Sequence, residues 1–233
     1  MKILAIIPAR GGSKGVPRKN SKILNGKPLL QYTFEAAQNS KLLTDIILSS
    51  EDSEIIEVAD MMGLKVPFIR PQELATDTAS SIDVVLHAID YMENQGFFYD
   101  AVCLLQPSSP FRESGFIDKA IEKFISQKSD SMLSVLKVPH EFNPHWVFEQ
   151  DKNGNLKIAT GEKEIIKRRQ DLPSAYYRDG SVYITKIDVL KNQKSFYGNS
   201  IGYIESDSNY SCNIDTMSDW ELAEKKALEL NNK

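Results

Sequence analysis

Ile3-Leu4-Ala5-Ile6-Ile7-Pro8-Ala9-Arg10-Gly11-Gly12-Ser13-Lys14-Gly15-Val16-Pro17-Arg18-Lys19-Asn20 is the stretch on which the fold turns. It begins with a continuous apolar run, Ile3 to Ile7, which reads as a strand buried on both faces. The loop from Pro8 to Asn20 carries three glycines, two prolines and four cations. Glycines let backbone amides approach an anion closely, and Arg10, Lys14 and Lys19 supply charge. Loops at the carboxyl end of a first strand are common ligand sites in open α/β sheets. The composition is that of a polyphosphate cradle, although neither the GxxxxGK[ST] nor the GxGxxG pattern fits.

Charge is distributed to match. The chain has a net charge of -4, yet residues 1–34 hold seven Lys or Arg and no acid. An acidic protein that keeps one basic patch free of acids is built to receive an anion there. The patch is long enough for one nucleotide, and a pI near 5.5 argues against nucleic acid as a partner. At 233 residues the chain fits one nucleotide-binding α/β domain, residues 1–233, with residues 139–171 as an insertion. No run approaches the roughly 20 apolar residues of a membrane span, and no signal-peptide pattern opens the chain. The expectation is a cytoplasmic enzyme without a membrane partner. Cys103 and Cys212 sit in strand-like runs and read as buried free thiols.

Strand and helix patterns alternate along the chain. Leu29 to Gln38 reads as a helix, Asp45 to Ser50 as a strand, and Ser53 to Met62 as an amphipathic helix ended by Gly63. Leu64 to Ile69 is expected to be a third strand. A helix opens at Ser80 or Ser81, Ala101 to Gln106 is a buried strand, Glu113 to Ser126 a helix, and Ser131 to Val138 a strand. The alternation predicts a mostly parallel, Rossmann-like sheet with helices on both faces. From Pro139 to Asp171 the rhythm breaks into a hairpin-bearing arm. Ser181 to Thr185, Ile201 to Glu205 and Tyr210 to Ile214 read as further strands before a terminal helix, Met217 to Leu230.

Several side chains could carry chemistry. Gln106 closes a strand and can reach a hydroxyl or carboxylate. Asp215 is a hard oxygen ligand suited to Mg2+ held mainly by phosphates, and either Asp215 or Thr216 can cap the last helix. Arg112 reads as a solvated or ion-paired cation. Trp146, Tyr176 and Tyr177 read as packing or interface residues. His140 and His145 have no zinc-site spacing, and no Ser, Cys or His constellation marks a covalent nucleophile.

Five motifs, in order, resemble those of the CMP-N-acetylneuraminate synthetase (acylneuraminate cytidylyltransferase) family. They are A-R-G-G-S-K-G-x-P-x-K-N from Ala9, R-P-x-x-L-A-x-D-T-A-S-S from Arg70, L-L-Q-P-x-S-P from Leu104, R-Q-x-L-P from Arg169, and I-D-T from Ile214. The resemblance implies transfer of CMP from CTP to a 2-keto-3-deoxy sugar acid, with release of pyrophosphate. It implies Mg2+ or Mn2+ as cofactor and a homodimer joined through the arm. Carried over residue by residue, Ala9, Arg10, Gly11, Gly12, Ser13, Lys14, Lys19 and Asn20 hold the nucleotide, and Arg70 and Ser81 meet the cytosine. Arg10, Lys14 and Asp215 become the catalytic group.

The sugar side follows in the same way. Gln106 and Arg169 are implied contacts, with Arg169 reaching the neighbouring site of a dimer. The family's R-x-N-G reads Tyr177-Arg178-Asp179-Gly180 here, so Tyr177, Arg178 and Asp179 border the expected sugar pocket with the arginine displaced by one and Asn replaced by Asp. The family's D-I-D reads Asn213-Ile214-Asp215, which leaves Asp215 as the anionic metal ligand and Asn213 as a neutral neighbour able to hold a metal-bound water. Two other readings compete: a nucleotidyltransferase for another sugar or sugar phosphate, which needs a second phosphate site near Gln106, and a non-catalytic nucleotide-binding protein.

Overall fold

A computed structural model describes residues 1–231. In chain order the elements are β1 (Ile3–Pro8), a small hairpin of β2 (Ile23–Leu24) and β3 (Lys27–Pro28), α1 (Leu29–Gln38), β4 (Asp45–Ser49), α2 (Ser53–Met62), α3 (Ser81–Asn94) and β5 (Ala101–Leu104). There follow α4 (Phe116–Gln127), β6 (Ser131–Lys137), a second hairpin of β7 (Phe148–Gln150) and β8 (Leu156–Ile158), β9 (Tyr176–Lys186), α5 (Ile187–Gln193), β10 (Ile201–Glu205) and α6 (Met217–Asn231). Six strands form one sheet in the order β10-β6-β9-β5-β1-β4. β1 runs parallel to β4 and β5, and β10 runs parallel to β6. β9 is antiparallel to both of its neighbours, so the sheet is mixed but mostly parallel, as expected.

The alternation of β1 sets the layers. Ile3, Ala5 and Ile7 pack with α1, α2 and α4 in one core. Leu4 and Ile6 point to the other face and pack with α3 and α5. Each of these five residues is 0% exposed, so β1 is buried on both faces and fixes where its trailing loop begins. Burying each aliphatic side chain contributes about 1.5–3 kcal/mol, an anchor that holds the loop's first residue rigid. A third cluster joins Val16 of that loop to Leu29, Phe111, Ile214 and Trp220, and so ties the loop to the amino end of α6.

Two expected strands do not form. Leu64 to Ile69 makes only isolated parallel bridges to the edge of β4, at Ile47–Lys65 and Ser50–Ile69. Pro67, in the middle of the run, has no N–H to give a ladder. Tyr210 to Ile214 lies outside the sheet, and its Ile214 amide donates to the carbonyl of Ser108 instead (2.9 Å). A tight turn at Asp207–Tyr210 lifts the segment off the sheet edge. β9, in turn, is longer than Ser181 to Thr185, because a bulge opposite Leu133 and Val135 lets the strand continue back to Tyr176. Gly180, with φ +83, makes that bulge.

Candidate active site

β1, β4 and β5 end on the same side of the sheet, and the loops after β1 and β5, with the segment entering α3 and the turn before α6, enclose a cavity of about 540 Å³. The first loop contributes Arg10, Ser13, Lys14, Gly15, Lys19 and Asn20 to its wall. Arg70 and Ser81 line it from the segment leading into α3, Gln106 from the end of β5, and Asp215 from the turn before α6. Residues far apart in sequence thus meet where an open α/β sheet places its ligands.

The remaining expected residues lie elsewhere. Ala9, Gly11 and Gly12 are not part of the cavity wall. Ala9 is buried and donates its amide to Ser49 O (3.0 Å). The Gly11 amide faces away from the cavity and donates to Glu51 Oε1 (2.8 Å). A Cβ on Gly11 would stand 2.1 Å from the Asp52 carboxylate, so close approach to the start of α2 requires glycine there. Gly15 is constrained likewise: a Cβ would stand 1.9 Å from Asp215 O. The glycines therefore dock the loop against two neighbours, and the side chains of Arg10, Ser13 and Lys14 face the cavity. The buried Asn20 fixes the loop from within, donating to Arg10 O (3.0 Å).

The two leading cations converge on one carboxylate. Arg10 Nη2 lies 2.8 Å from Asp77 Oδ1, and Lys14 Nζ lies 2.5 Å from Asp77 Oδ2. The Lys14 hydrogen bond, with Arg10 behind it, holds the Asp77 carboxyl below its usual range. Asp77 occupies the place where an anionic ligand would meet both side chains. Lys19 is engaged differently: its ammonium donates to Ile214 O (2.6 Å) and lies 3.5 Å from Asp215 Oδ1. It holds the turn that carries Asp215.

Glu51, a residue the sequence reading passed over, organises the base of the site. Its Oε2 accepts from Arg70 Nη2 (2.5 Å) and Nε (3.1 Å), while its Oε1 holds the Gly11 amide. The pair is shielded, with 3% and 9% side-chain exposure. Removing one partner of such a pair costs about 3–5 kcal/mol, because the other charge is stranded. The only hint in sequence is position: Glu51 lies two residues beyond the carboxyl end of β4. Ser80, not Ser81, caps α3 by accepting from the Asp83 amide (3.2 Å), which leaves Ser81 to the cavity.

Arg112 is half-buried and makes no ion pair among the described residues. Its guanidinium donates to Ser181 O, Thr33 Oγ1 and Gln106 O at 3.0, 3.0 and 3.1 Å, and burial pushes its pKa down to about 10. It staples the strand ends beneath Gln106. Asp179 turns its carboxylate inward, accepting from the Ser181 amide and hydroxyl (3.1 Å each) and from the Ser134 hydroxyl. Those contacts lock the β9 bulge, and the Gly180 backbone passes beside Gln106. Tyr177 and Arg178 are exposed, with Arg178 donating to Tyr197 Oη (3.2 Å), and neither lines the cavity. Arg169 lines a separate cavity near Lys137 and His140.

No group of three or more His, Cys, Asp or Glu able to hold an ion is found among the described residues. Asp215 presents a single exposed carboxylate to the cavity. Asn213 donates its amide to Asp215 Oδ2 (2.5 Å) and lines a neighbouring cleft, so it orients the carboxylate rather than adding a ligand to the cavity. One hard oxygen donor fits a cation that takes most of its ligands from phosphates.

An open sheet with a cation-lined loop at its carboxyl ends, faced by the exposed Asp215 carboxylate, defines a nucleotidyltransferase-type site. The sequence profile of the cytidylyltransferase family matches residues 4–232. Pseudaminic acid cytidylyltransferase of Campylobacter jejuni subsp. jejuni serotype O:23/36 is 38% identical over 223 residues, covering 96% of this chain and 95% of the relative. CMP-N,N'-diacetyllegionaminic acid synthase of Legionella pneumophila subsp. pneumophila is 37% identical over 232 residues, covering 99% and 98%. A solved CMP:2-keto-3-deoxy-manno-octonic acid synthetase complexed with CTP shares the fold, with a TM-score of 0.73 over 100% of both chains at 17% identity. The chain belongs to the cytidylyltransferase family, within its CMP-nonulosonate, CMP-sialic acid synthetase-like group.

Proposed function

We propose that this chain is a CTP-dependent cytidylyltransferase that joins CMP to a nine-carbon 2-keto-3-deoxy sugar acid and releases pyrophosphate. The observation that carries the reading is the convergence of Arg10 and Lys14 on one carboxylate inside the cavity. Two cations aimed at one anion-sized position suit a triphosphate, which displaces Asp77 on binding. Arg70 and Ser81 take the cytosine at the other end of the cavity, and Gln106 takes the sugar. Near full-length likeness to pseudaminate and legionaminate relatives favours that class of nonulosonate.

The reaction is a direct displacement. The anomeric hydroxyl of the sugar acid attacks the α-phosphorus and gives up its proton to solvent, the bond to the bridging oxygen breaks, and pyrophosphate leaves with the electron pair. Among the described residues the cavity wall holds no Cys or His to act as a covalent nucleophile, and in this reading the rate comes from positioning and electrostatics. Arg10 and Lys14 orient the phosphates and offset their charge, and Lys19 with Asn213 keeps Asp215 in place. Mg2+ or Mn2+ bound by Asp215 and phosphate oxygens would neutralise charge on the departing group.

The arm, residues 139–171, supports a homodimer as the working assembly. It exposes Phe142, Phe148, Leu156 and Ile165, and in this reading Arg169, near its end, serves a second copy's sugar site. No helix among the described residues is long and apolar enough to cross a membrane. Pyrophosphate release from CTP, measured over a panel of nine-carbon and eight-carbon keto sugar acids, tests the reading. Activity confined to nine-carbon acids is expected. Activity with none of the acids, or with sugar phosphates alone when these are added to the panel, would overturn it.

A further inference from the structure

We propose that Glu51 is a positioning residue that gives the site its preference for cytosine over uracil. This rests on the reading above, in which Arg70 meets the base. The Glu51 carboxylate takes Nε and Nη2 of Arg70 on one oxygen, which fixes the plane of the guanidinium. Nη1 is left with no protein hydrogen-bond partner among the described residues, on a side chain that lines the cavity. The Arg70 amide is itself pinned to Ser50 O (2.9 Å), so backbone and side chain are held from the same turn. A guanidinium clamped this way offers donors in a fixed direction.

Fixed donors discriminate between the two pyrimidines. Cytosine presents O2 and N3 as neighbouring acceptors. Uracil carries a hydrogen on N3 and turns that position into a donor, so a clamped arginine faces it donor to donor. An unclamped arginine can rotate to satisfy either base. The other oxygen of Glu51 holds the Gly11 amide, so the same side chain sets the base end of the cavity in register with the phosphate loop.

Glu51→Gln keeps an acceptor for the Gly11 amide but turns an NH2 group toward Arg70 and removes the charge. The test compares kcat/KM for CTP and UTP in the wild type, Glu51→Gln, Arg70→Gln and the double variant, each checked for folding by circular dichroism. The CTP-over-UTP ratio is expected to fall about tenfold or more in Glu51→Gln. In the Arg70→Gln background the second substitution should leave the ratio unchanged, because Glu51 acts through Arg70. A folded Glu51→Gln enzyme with wild-type base preference overturns the proposal, however much its turnover has dropped. Should Glu51→Gln fail to fold, Glu51→Asp decides, since it keeps the charge beside Arg70 but draws the carboxylate back by one methylene. A lowered CTP-over-UTP ratio in folded Glu51→Asp supports the proposal and a wild-type ratio overturns it. A wild-type enzyme that releases no pyrophosphate from CTP refutes the proposed reaction itself and takes this inference with it. A wild type that prefers CTP, beside a Glu51→Gln variant that prefers it equally, refutes the role of Glu51 alone.

Discussion

Replacing Asp77 by Asn should make the protein bind pyrophosphate more tightly. Asp77 holds Arg10 and Lys14 at 2.8 and 2.5 Å, so an entering phosphate must break both contacts before it can use either cation. The side chains of Lys14, Asp77 and Arg10 are 81%, 40% and 34% exposed, which places both pairs among the solvent-screened kind. Exposed pairs each shift an equilibrium by roughly 1.4- to 5-fold. Losing two competing contacts should therefore lower the pyrophosphate Kd by about 2- to 30-fold, with the effect shrinking as salt is raised. The carboxyl is held below its ordinary 3.8, so Asp77 is charged at neutral pH and the substitution removes a full competitor. Isothermal titration of pyrophosphate into wild type and Asp77→Asn, at two ionic strengths, makes the measurement. Equal or weaker binding by the variant refutes the reasoning and makes Asp77 a ligand-side partner instead of a placeholder.

Lys14→Ala should cost about 3 kcal/mol or more of transition-state stabilisation, a hundredfold or greater loss in kcat/KM, by analogy with a lost oxyanion donor. Near-normal turnover would remove Lys14 from the mechanism. Asp215→Asn should raise the Mg2+ concentration needed for half-maximal rate about tenfold or more, read from initial rates across a metal titration; an unchanged titration would mean that the ion sits elsewhere. Gly15→Ala puts a methyl 1.9 Å from Asp215 O and should lower stability by about 1–3 kcal/mol, seen in thermal melts, together with activity. A variant as stable and active as wild type would show that the loop yields freely. His87 lies against Phe68, and burial depresses its pKa below the ordinary 6.5. The unfolded chain then binds the proton more readily, so this contribution is complete above about pH 6.5 and is lost as pH falls toward the folded-state value. His87→Leu should flatten the acid side of a plot of melting temperature against pH, and an unaltered slope would rule the histidine out.

Much of the sheet was legible because hydrophobic runs and their spacing report burial. Ile3 to Ile7, Asp45 to Ser50, Ala101 to Gln106 and Ser131 to Val138 all fall on strands of the sheet. The misreadings have local causes. Pro67 interrupts the Leu64 to Ile69 run, and Tyr210 to Ile214 has strand-like composition but docks on the Ser108 loop. Arg112 looked like a surface cation because sequence carries no sign of the three oxygens gathered around it.

By itself the sequence determined which loop is cationic, where it leaves the sheet, and which residues are chemically able to hold a nucleotide, since charge, glycine content and apolar periodicity are properties of short segments. The tertiary structure alone decided which of those residues share one cavity. It turned Gly11 toward Glu51, set Asp77 between Arg10 and Lys14, moved Asp179 into the β9 bulge, and brought Asp215 across from the far end of the chain. Each of these contacts joins segments far apart in sequence or turns a side chain toward one neighbour instead of another. Packing and hydrogen-bond geometry select among such arrangements, and residue type does not encode them.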